Sequence, residues 1–214
     1  MLDLTQVLKA LGEKRPIFHS EADFQHALAR EIQKAQPGAS IRLELPVQVD
    51  ASHRIHLDLL VASDQEGYAI ELKYRTAAME VDEHGERFSL AAHSAQDTGR
   101  YEFLKDVARL EHYVASIPNS MGFAIFLSND SLYWKEPRQA TTSEQFSIHD
   151  KREILSKQRL CWASHAGPGS TMGRESPLSF GSSYVCSWQE YSKVGGRQLK
   201  YLSLTVAPPL ITSQ

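Results

Sequence analysis

The sequence predicts a mixed α/β fold, a mixed sheet flanked by helices. Three observations predict it. Apolar residues recur at helical spacing near the N-terminus and again after residue 98. Between them, three extended segments follow one another over residues 41–74, the first rich in alternating apolar residues. Residues 122–127 then read Gly-Phe-Ala-Ile-Phe-Leu, an apolar run typical of a strand covered on both faces.

Taken in order, Leu4, Val7, Leu8 and Leu11 make a short amphipathic helix, with Gly12 as its stop. Pro16 breaks the chain. Ser20 opens a second helix, with Asp23 three residues on in a capping-box arrangement. Its stripe is Phe24, Ala27, Leu28, Ile32 and Ala35, and Pro37-Gly38 ends it. Strands are expected over 41–49, 55–61 and 68–74. The polar joint 62–67 makes the last two an antiparallel hairpin. Residues 79–81 and 87–90 flank a polar turn and suggest a small projecting hairpin. A long helix over 98–115 should bury Phe103, Val107, Leu110 and Val114.

Beyond Asn129 the pattern weakens. Residues 146–148, 160–163, 184–188 and 199–206 are short strand candidates, and 164–179 is a Gly/Ser/Pro-rich loop. The 214 residues therefore divide into an expected core, 1–130, and a β-rich C-terminal extension, 131–214, packed on it.

The net charge of −3 and pI near 6.3 argue against a strongly basic nucleic-acid binder but allow a local basic patch. The two cysteines, Cys161 and Cys186, have no CxxC or zinc-type spacing and read as free thiols in a reducing compartment. With no signal-peptide pattern and no long apolar run, the expected location is cytoplasmic.

The chemistry concentrates on the hairpin. Residues two apart on a strand share a face, so Glu71 and Lys73 point one way and Ile70 and Leu72 the other. Asp58 interrupts the apolar run Leu57-Asp58-Leu59, and Leu57, Leu59 and Val61 should face the core opposite to it. If the hairpin turns about Asp64-Gln65, paired residue numbers sum to 129 and Asp58 lies opposite Glu71. A shift of two residues would keep the face but loosen the pair. Opposed side chains have Cβ atoms roughly 4.5–5.5 Å apart, and like charges there are destabilising. A cation bridging both carboxylates offsets that repulsion. Mg²⁺ is held through one or two carboxylates plus waters and phosphate oxygens. It can activate water and stabilise charge at a phosphodiester. Lys73 would add positive charge beside the same phosphate.

The segment His56-Leu57-Asp58-Leu59-Leu60-Val61, then Ile70-Glu71-Leu72-Lys73 thirteen residues beyond Asp58, resembles the PD-(D/E)xK nuclease superfamily. The order helix, three-strand meander, helix, strand over about residues 18–130 is similar to its restriction-endonuclease-like core. Leu57 stands where the motif has proline. The resemblance implies Asp58 and Glu71 as metal ligands for Mg²⁺ or Mn²⁺ and Lys73 as the catalytic lysine. It also implies a glutamate on the first core helix that reaches the metal. Glu21 and Glu31 are the candidates, and Glu21 is favoured, with Gln25 one turn on. The plain alternative for Glu21 is a helix-dipole partner, and for Glu31 a surface ion pair.

Further residues are candidates for substrate contact: Arg75 just past Lys73, Gln96, Arg100 and Tyr101 at the start of the long helix, and Lys105 along it. For Lys105, Asp106 and Arg109 a solvated, charge-balanced helix face is the preferred reading. Arg87 could guide a backbone. Trp134, Trp162, Trp188 and Tyr191 could stack bases but more often serve a core. His53 and His56 would point to opposite faces of an extended segment, so the histidines give no zinc site.

The expected function is a metal-dependent endonuclease acting on DNA, in repair, mobile-element handling or anti-phage defence. A homodimer or a partner protein would supply specificity. The alternative is a non-catalytic module on the same fold that binds nucleic acid or protein. A metal-dependent enzyme on another substrate is a third class.

Overall fold

The computed structural model describes residues 2–48, 54–63 and 65–208. The expected end of the first strand at Val49, the turn residue Asp64 and His53 lie outside the described residues. Helix α1 (Leu4–Lys14) is capped by the Asp3 carboxylate, which accepts from the Gln6 amide. Gly12 lies inside it rather than ending it. A Cβ there would come within 2.8 Å of the Tyr191 carbonyl oxygen, so glycine lets the helix cross a strand closely. Helix α2 (Glu21–Ala35) starts where expected: the Ser20 hydroxyl accepts from the Asp23 amide at 3.1 Å.

Strands β1 (Ser40–Gln48), β2 (Arg54–Ala62) and β3 (Gly67–Arg75) follow as an antiparallel meander. A hairpin, β4 (Met79–Glu83) and β5 (Glu86–Leu90), projects next. It turns on His84-Gly85, both at positive φ, as a two-residue hairpin loop requires. Helix α3 (Gln96–Ser116) then crosses to β6 (Ser120–Ser128), which pairs in parallel with β3.

The chain after Asn129 is less regular than expected. Residues 144–146 form a single 3-10 turn rather than a strand. Leu160 makes only an isolated bridge to Leu178. β7 (Glu153–Ile154) and β8 (Tyr184–Val185) are two residues each, and α4 (Pro168–Thr171) is one turn. The last strands, β9 (Trp188–Val194) and β10 (Arg197–Val206), join the main sheet, whose order is β1-β2-β3-β6-β10-β9. A mixed six-stranded sheet is thus flanked by helices, and it continues through the expected boundary at residue 130.

Each face of the sheet has its own core. On one face Leu59, Val61, Ile70, Leu72, Phe123 and Ile125 pack under α1 and α2. On the other, Ala69, Ala124 and Phe126 pack under α3. Residues 131–187 cover the far side of α3 with Phe146, Ile148, Leu160 and Phe180. α3 is therefore sandwiched, and it buries Tyr101, Leu104, Asp106 and Tyr113 besides the stripe that periodicity marks. Gly99 is needed there, since a Cβ would sit 2.6 Å from the Tyr133 hydroxyl. Among the described residues no helix is long and apolar enough to cross a membrane.

Candidate functional site: a notch between β2 and β3

The site forms where the meander comes apart. The β2–β3 ladder runs from Ala62↔Gly67 to Leu59↔Ile70, a register in which paired numbers sum to 129, and ends there. The β1–β2 ladder keeps Leu43↔Leu59 and Leu45↔Leu57 but has no Glu44–Asp58 pair. Glu44 has φ 48°, a left-handed conformation that is costly for a non-glycine residue. Alternation breaks at this point. Leu59 and Val61 pack on the α2 face, whereas Leu57 packs on the α3 face. The expectation that Leu57, Leu59 and Val61 share one face is therefore corrected, because a kink at Asp58 reverses the facing.

The kink leaves amides on β3 without a strand partner, and buried amides need an acceptor. Two carboxylates supply it. The Leu72 amide donates to Asp58 Oδ2 at 2.6 Å, and the Tyr74 amide donates to Glu21 Oε2 at 2.7 Å. Gln25 Nε2 braces the kink from α2, donating to the Asp58 carbonyl and to Glu44 Oε1, both at 2.7 Å. Glu21, Ala22, Gln25, Glu44, Asp58 and Leu72 line a cavity of about 280 Å³. Glu31 is elsewhere. It pairs with Lys14 and with Lys34, the latter at 2.9 Å, and its carboxyl is held below the usual range by those hydrogen bonds. Of the two helix glutamates, the fold brings Glu21 to Asp58.

On the α3 face, Glu71 and Lys73 point at the helix, and Ile70 and Leu72 point away, as strand periodicity requires. Glu71 is 3% exposed. Lys73 Nζ lies 2.6 Å from Asp106 Oδ2. Arg109, one turn beyond Asp106, donates to Asp106 Oδ1 at 2.8 Å and to the His56 carbonyl at 2.7 Å. Its guanidinium also lies 3.2 Å from Glu71 Oε1. That last contact lacks hydrogen-bond geometry: Glu71 Oε1 is buried and receives no hydrogen bond. It is a charge contact only, and an incompletely satisfied one. The solvated-face reading of Asp106 and Arg109 is corrected here. Asp106 is 2% exposed and Arg109 reaches back into the site, while Lys105 is exposed. The sandwiching of α3, which the sequence pattern does not announce, buries them.

The electrostatics follow from this crowding. Burial pushes the Asp58 carboxyl up to about 6, against the pull of the Leu72 amide and Lys73. Burial, with Asp106 adding to it, pushes Glu71 up to about 9, and Arg109 only partly opposes this. Burial alone would lower the Lys73 ammonium, but Asp106 reverses that and the net direction is upward. Four carboxylates (Glu21, Asp58, Glu71 and Asp106) thus share a small volume with two cations, Lys73 and Arg109. Among the described residues, no three Asp, Glu, His or Cys side chains converge as a ready-made metal cage. The donor chemistry nevertheless fits a hard divalent cation. Asp58 and Glu71 are carboxylates, negative charge is in excess, and two buried carboxylate oxygens, Glu71 Oε1 and Asp106 Oδ2, have charge contacts with Arg109 and Lys73 but receive no hydrogen bond. Mg²⁺ takes only one or two protein carboxylates.

The other candidates are engaged elsewhere. Gln96 donates to Asp130 Oδ2 at 2.8 Å. Arg100 is buried, donates to the Leu132 carbonyl and lies over the Tyr133 ring. Tyr101 is buried against Phe146 and Trp162. Arg75 is half-buried near Tyr133, with its Nε unpartnered. Arg87 pairs with Glu80 at the surface. Trp162, Trp188 and Tyr191 hydrogen-bond to carbonyls of Arg174, Ile148 and Arg15 inside the fold, and Trp134 packs against Trp188. The residues that the sequence reading missed as part of this site are Asp106 and Arg109. Their i, i+3 spacing on the helix that follows the motif was the available signal.

Comparison of the chain with family models, with characterised proteins and with solved structures finds no match.

Proposed function

We propose that this chain is a divalent-metal-dependent nuclease with a PD-(D/E)xK-type, restriction-endonuclease-like core, hydrolysing phosphodiester bonds of DNA. One observation carries the reading. Glu71 is buried beside Asp58 and Lys73 in a notch whose carboxylates outnumber its cations. Replacing such a cluster with well-packed apolar residues is often neutral or stabilising, so stability alone does not call for it. Its presence points to a use for the charge.

In this reading Asp58 and Glu71 hold Mg²⁺ or Mn²⁺, with Glu21 beside them from α2. The metal supplies Lewis acidity and an activated water when bound. Lys73 stabilises negative charge developing on the phosphate. Gln25 fixes the Asp58 backbone, and Asp106 holds the Lys73 ammonium. A second copy of the chain or a partner protein would supply specificity.

A second reading, a non-catalytic binding module, draws on a specific observation too. Asp58 and Glu21 already serve β3 amides, and Lys73 already has a partner. The separating experiment is cleavage of single-stranded, double-stranded and branched DNA with Mg²⁺, Mn²⁺ or EDTA. Wild type is compared with Lys73→Gln and Asp58→Asn, each checked for fold by circular dichroism. Metal-dependent cutting by wild type that both variants lose supports the nuclease. Absence of cutting together with absence of Mn²⁺ binding would leave the binding module.

A further inference from the structure

The strongest unexplained feature is the contact between Arg109 and Glu71. Arg109 is well bonded to Asp106 and to the His56 carbonyl. Its approach to Glu71, at 3.2 Å, satisfies no hydrogen bond at the buried Glu71 Oε1. The guanidinium is the more exposed partner, 28% against 2% for the Glu71 side chain. It therefore lies at the solvent side of the notch, on a long flexible stem, with its charge directed at a deeply buried carboxylate. Arginine is always charged and cannot yield by losing its proton.

We propose that Arg109 is a resident counter-cation that competes with the divalent metal for Glu71. The inference rests on the metal-site reading above and adds a control to it. Without metal, Arg109 occupies the space beside Glu71, its guanidinium 3.2 Å from Oε1. With metal, two cations facing one carboxylate repel, and the guanidinium moves toward solvent. The protein's apparent metal affinity is then reduced by the fraction of molecules in which Arg109 occupies its inward position. Arg109 sets the metal concentration at which the site loads.

The test measures Mn²⁺ binding by electron paramagnetic resonance on the full chain. Wild type is compared with Arg109→Met, which keeps the apolar stem and removes the charge, and with Glu71→Gln. Arg109→Met is expected to bind Mn²⁺ about tenfold more tightly than wild type, the gain that follows when the inward conformer holds about nine-tenths of the molecules. Glu71→Gln is expected to bind weakly. Equal or weaker binding by a folded Arg109→Met overturns the proposal while leaving the metal site standing. Failure of both wild type and Arg109→Met to bind overturns the metal-site reading and this inference with it. Because Arg109 also ties α3 to β2, a second measurement uses wild type alone. Phenylglyoxal labelling of Arg109, mapped by mass spectrometry, should accelerate when Mg²⁺ is added. Unchanged or slower labelling counts against the displacement.

Discussion

Glu31 and Glu71 are both carboxylates screened from water, and both lie beside basic groups, yet their acidities move in opposite directions. Glu31 on α2 takes hydrogen bonds from Lys14 and Lys34, whose side chains are about half exposed. Its carboxyl is held low. Glu71 on β3 has Arg109 alongside but no hydrogen bond to Oε1, and Asp106 and Asp58 nearby. Its carboxyl is driven up to about 9. The lesson is that a basic neighbour does not settle a buried carboxylate. What settles it is whether the hydrogen bonds are made and whether local charge balances. Glu31 is a finished interaction. Glu71 is one that a divalent cation would finish.

The largest test of that contrast is catalytic. On the nuclease proposal, Asp58→Asn and Lys73→Gln are each expected to lower metal-dependent DNA cleavage by about 10²-fold or more, the scale for losing one electrostatic contributor to a transition state. Glu31→Gln should leave it unchanged. If Glu31→Gln impaired cleavage as strongly as the notch variants, the distinction between the clusters would fail. Next in size is the stability of the α3 bracket. Lys73 and Asp106 are both largely buried. Removing one partner of such a pair typically costs about 3–5 kcal/mol, with Asp58 and Glu21 left to offset part of the Lys73 charge when Asp106 goes. Asp106→Ala should therefore lower the urea midpoint sharply, and Lys73→Met/Asp106→Leu should recover much of the loss. Equal loss in single and double variants would show that packing rather than charge holds the two elements together.

The sequence reading and the structure part company at identifiable places. The helices, the meander and the continuous β6 strand were legible because one period governs each of them. The Glu71–Lys73 face was legible for the same reason, and so was the β2–β3 register through Leu59↔Ile70. The kink at Asp58 was not, because alternation in Leu57-Asp58-Leu59 reads as regular strand while the bracing by Gln25 and Glu44 comes from distant segments. Nor was the burial of Asp106. Residues 131–187 cover α3 with almost no regular secondary structure, and periodicity gives no sign of a second covered face.

A subtler separation of the two clusters is by pH. Asp58 and Glu71 have folded-state acidities weaker than those of an unfolded chain, so the folded protein holds more protons over the interval from about 4 up to about 9. Stability of the metal-free protein should therefore fall as pH rises through that interval, with both groups contributing up to about 6 and Glu71 alone above that. Glu31 acts the other way: its contribution is present above the unfolded value and is lost as pH falls below it. Thermal unfolding in EDTA should show Tm declining from pH 6 to pH 9. Glu71→Gln should remove most of that decline, since Asp58 is already losing its proton by about 6. In the metal-site reading Mg²⁺ should also reduce the decline, since a metal would bind the ionised carboxylates and its binding would strengthen as their protons leave. A Tm that rises over the same range in EDTA would contradict the assigned directions.

The smallest effect belongs to Glu31 itself. Its partners are solvated lysines, so its pairing is screened and each lysine gives up side-chain freedom to make it. Glu31 itself is buried but each lysine is about half exposed, so the contribution should lie near that of surface pairs, about 0.2–1 kcal/mol. Glu31→Gln should cost no more than that at low ionic strength, and the cost should shrink toward zero in 1 M NaCl. The cost of Asp106→Ala should persist in the same salt, because salt reaches a buried pair poorly. Denaturant unfolding of both variants at two salt concentrations reads the difference directly. If both costs vanished with salt, the Asp106 cluster would be a surface network like that of Glu31, and the case for a charged interior awaiting a cation would lose its basis.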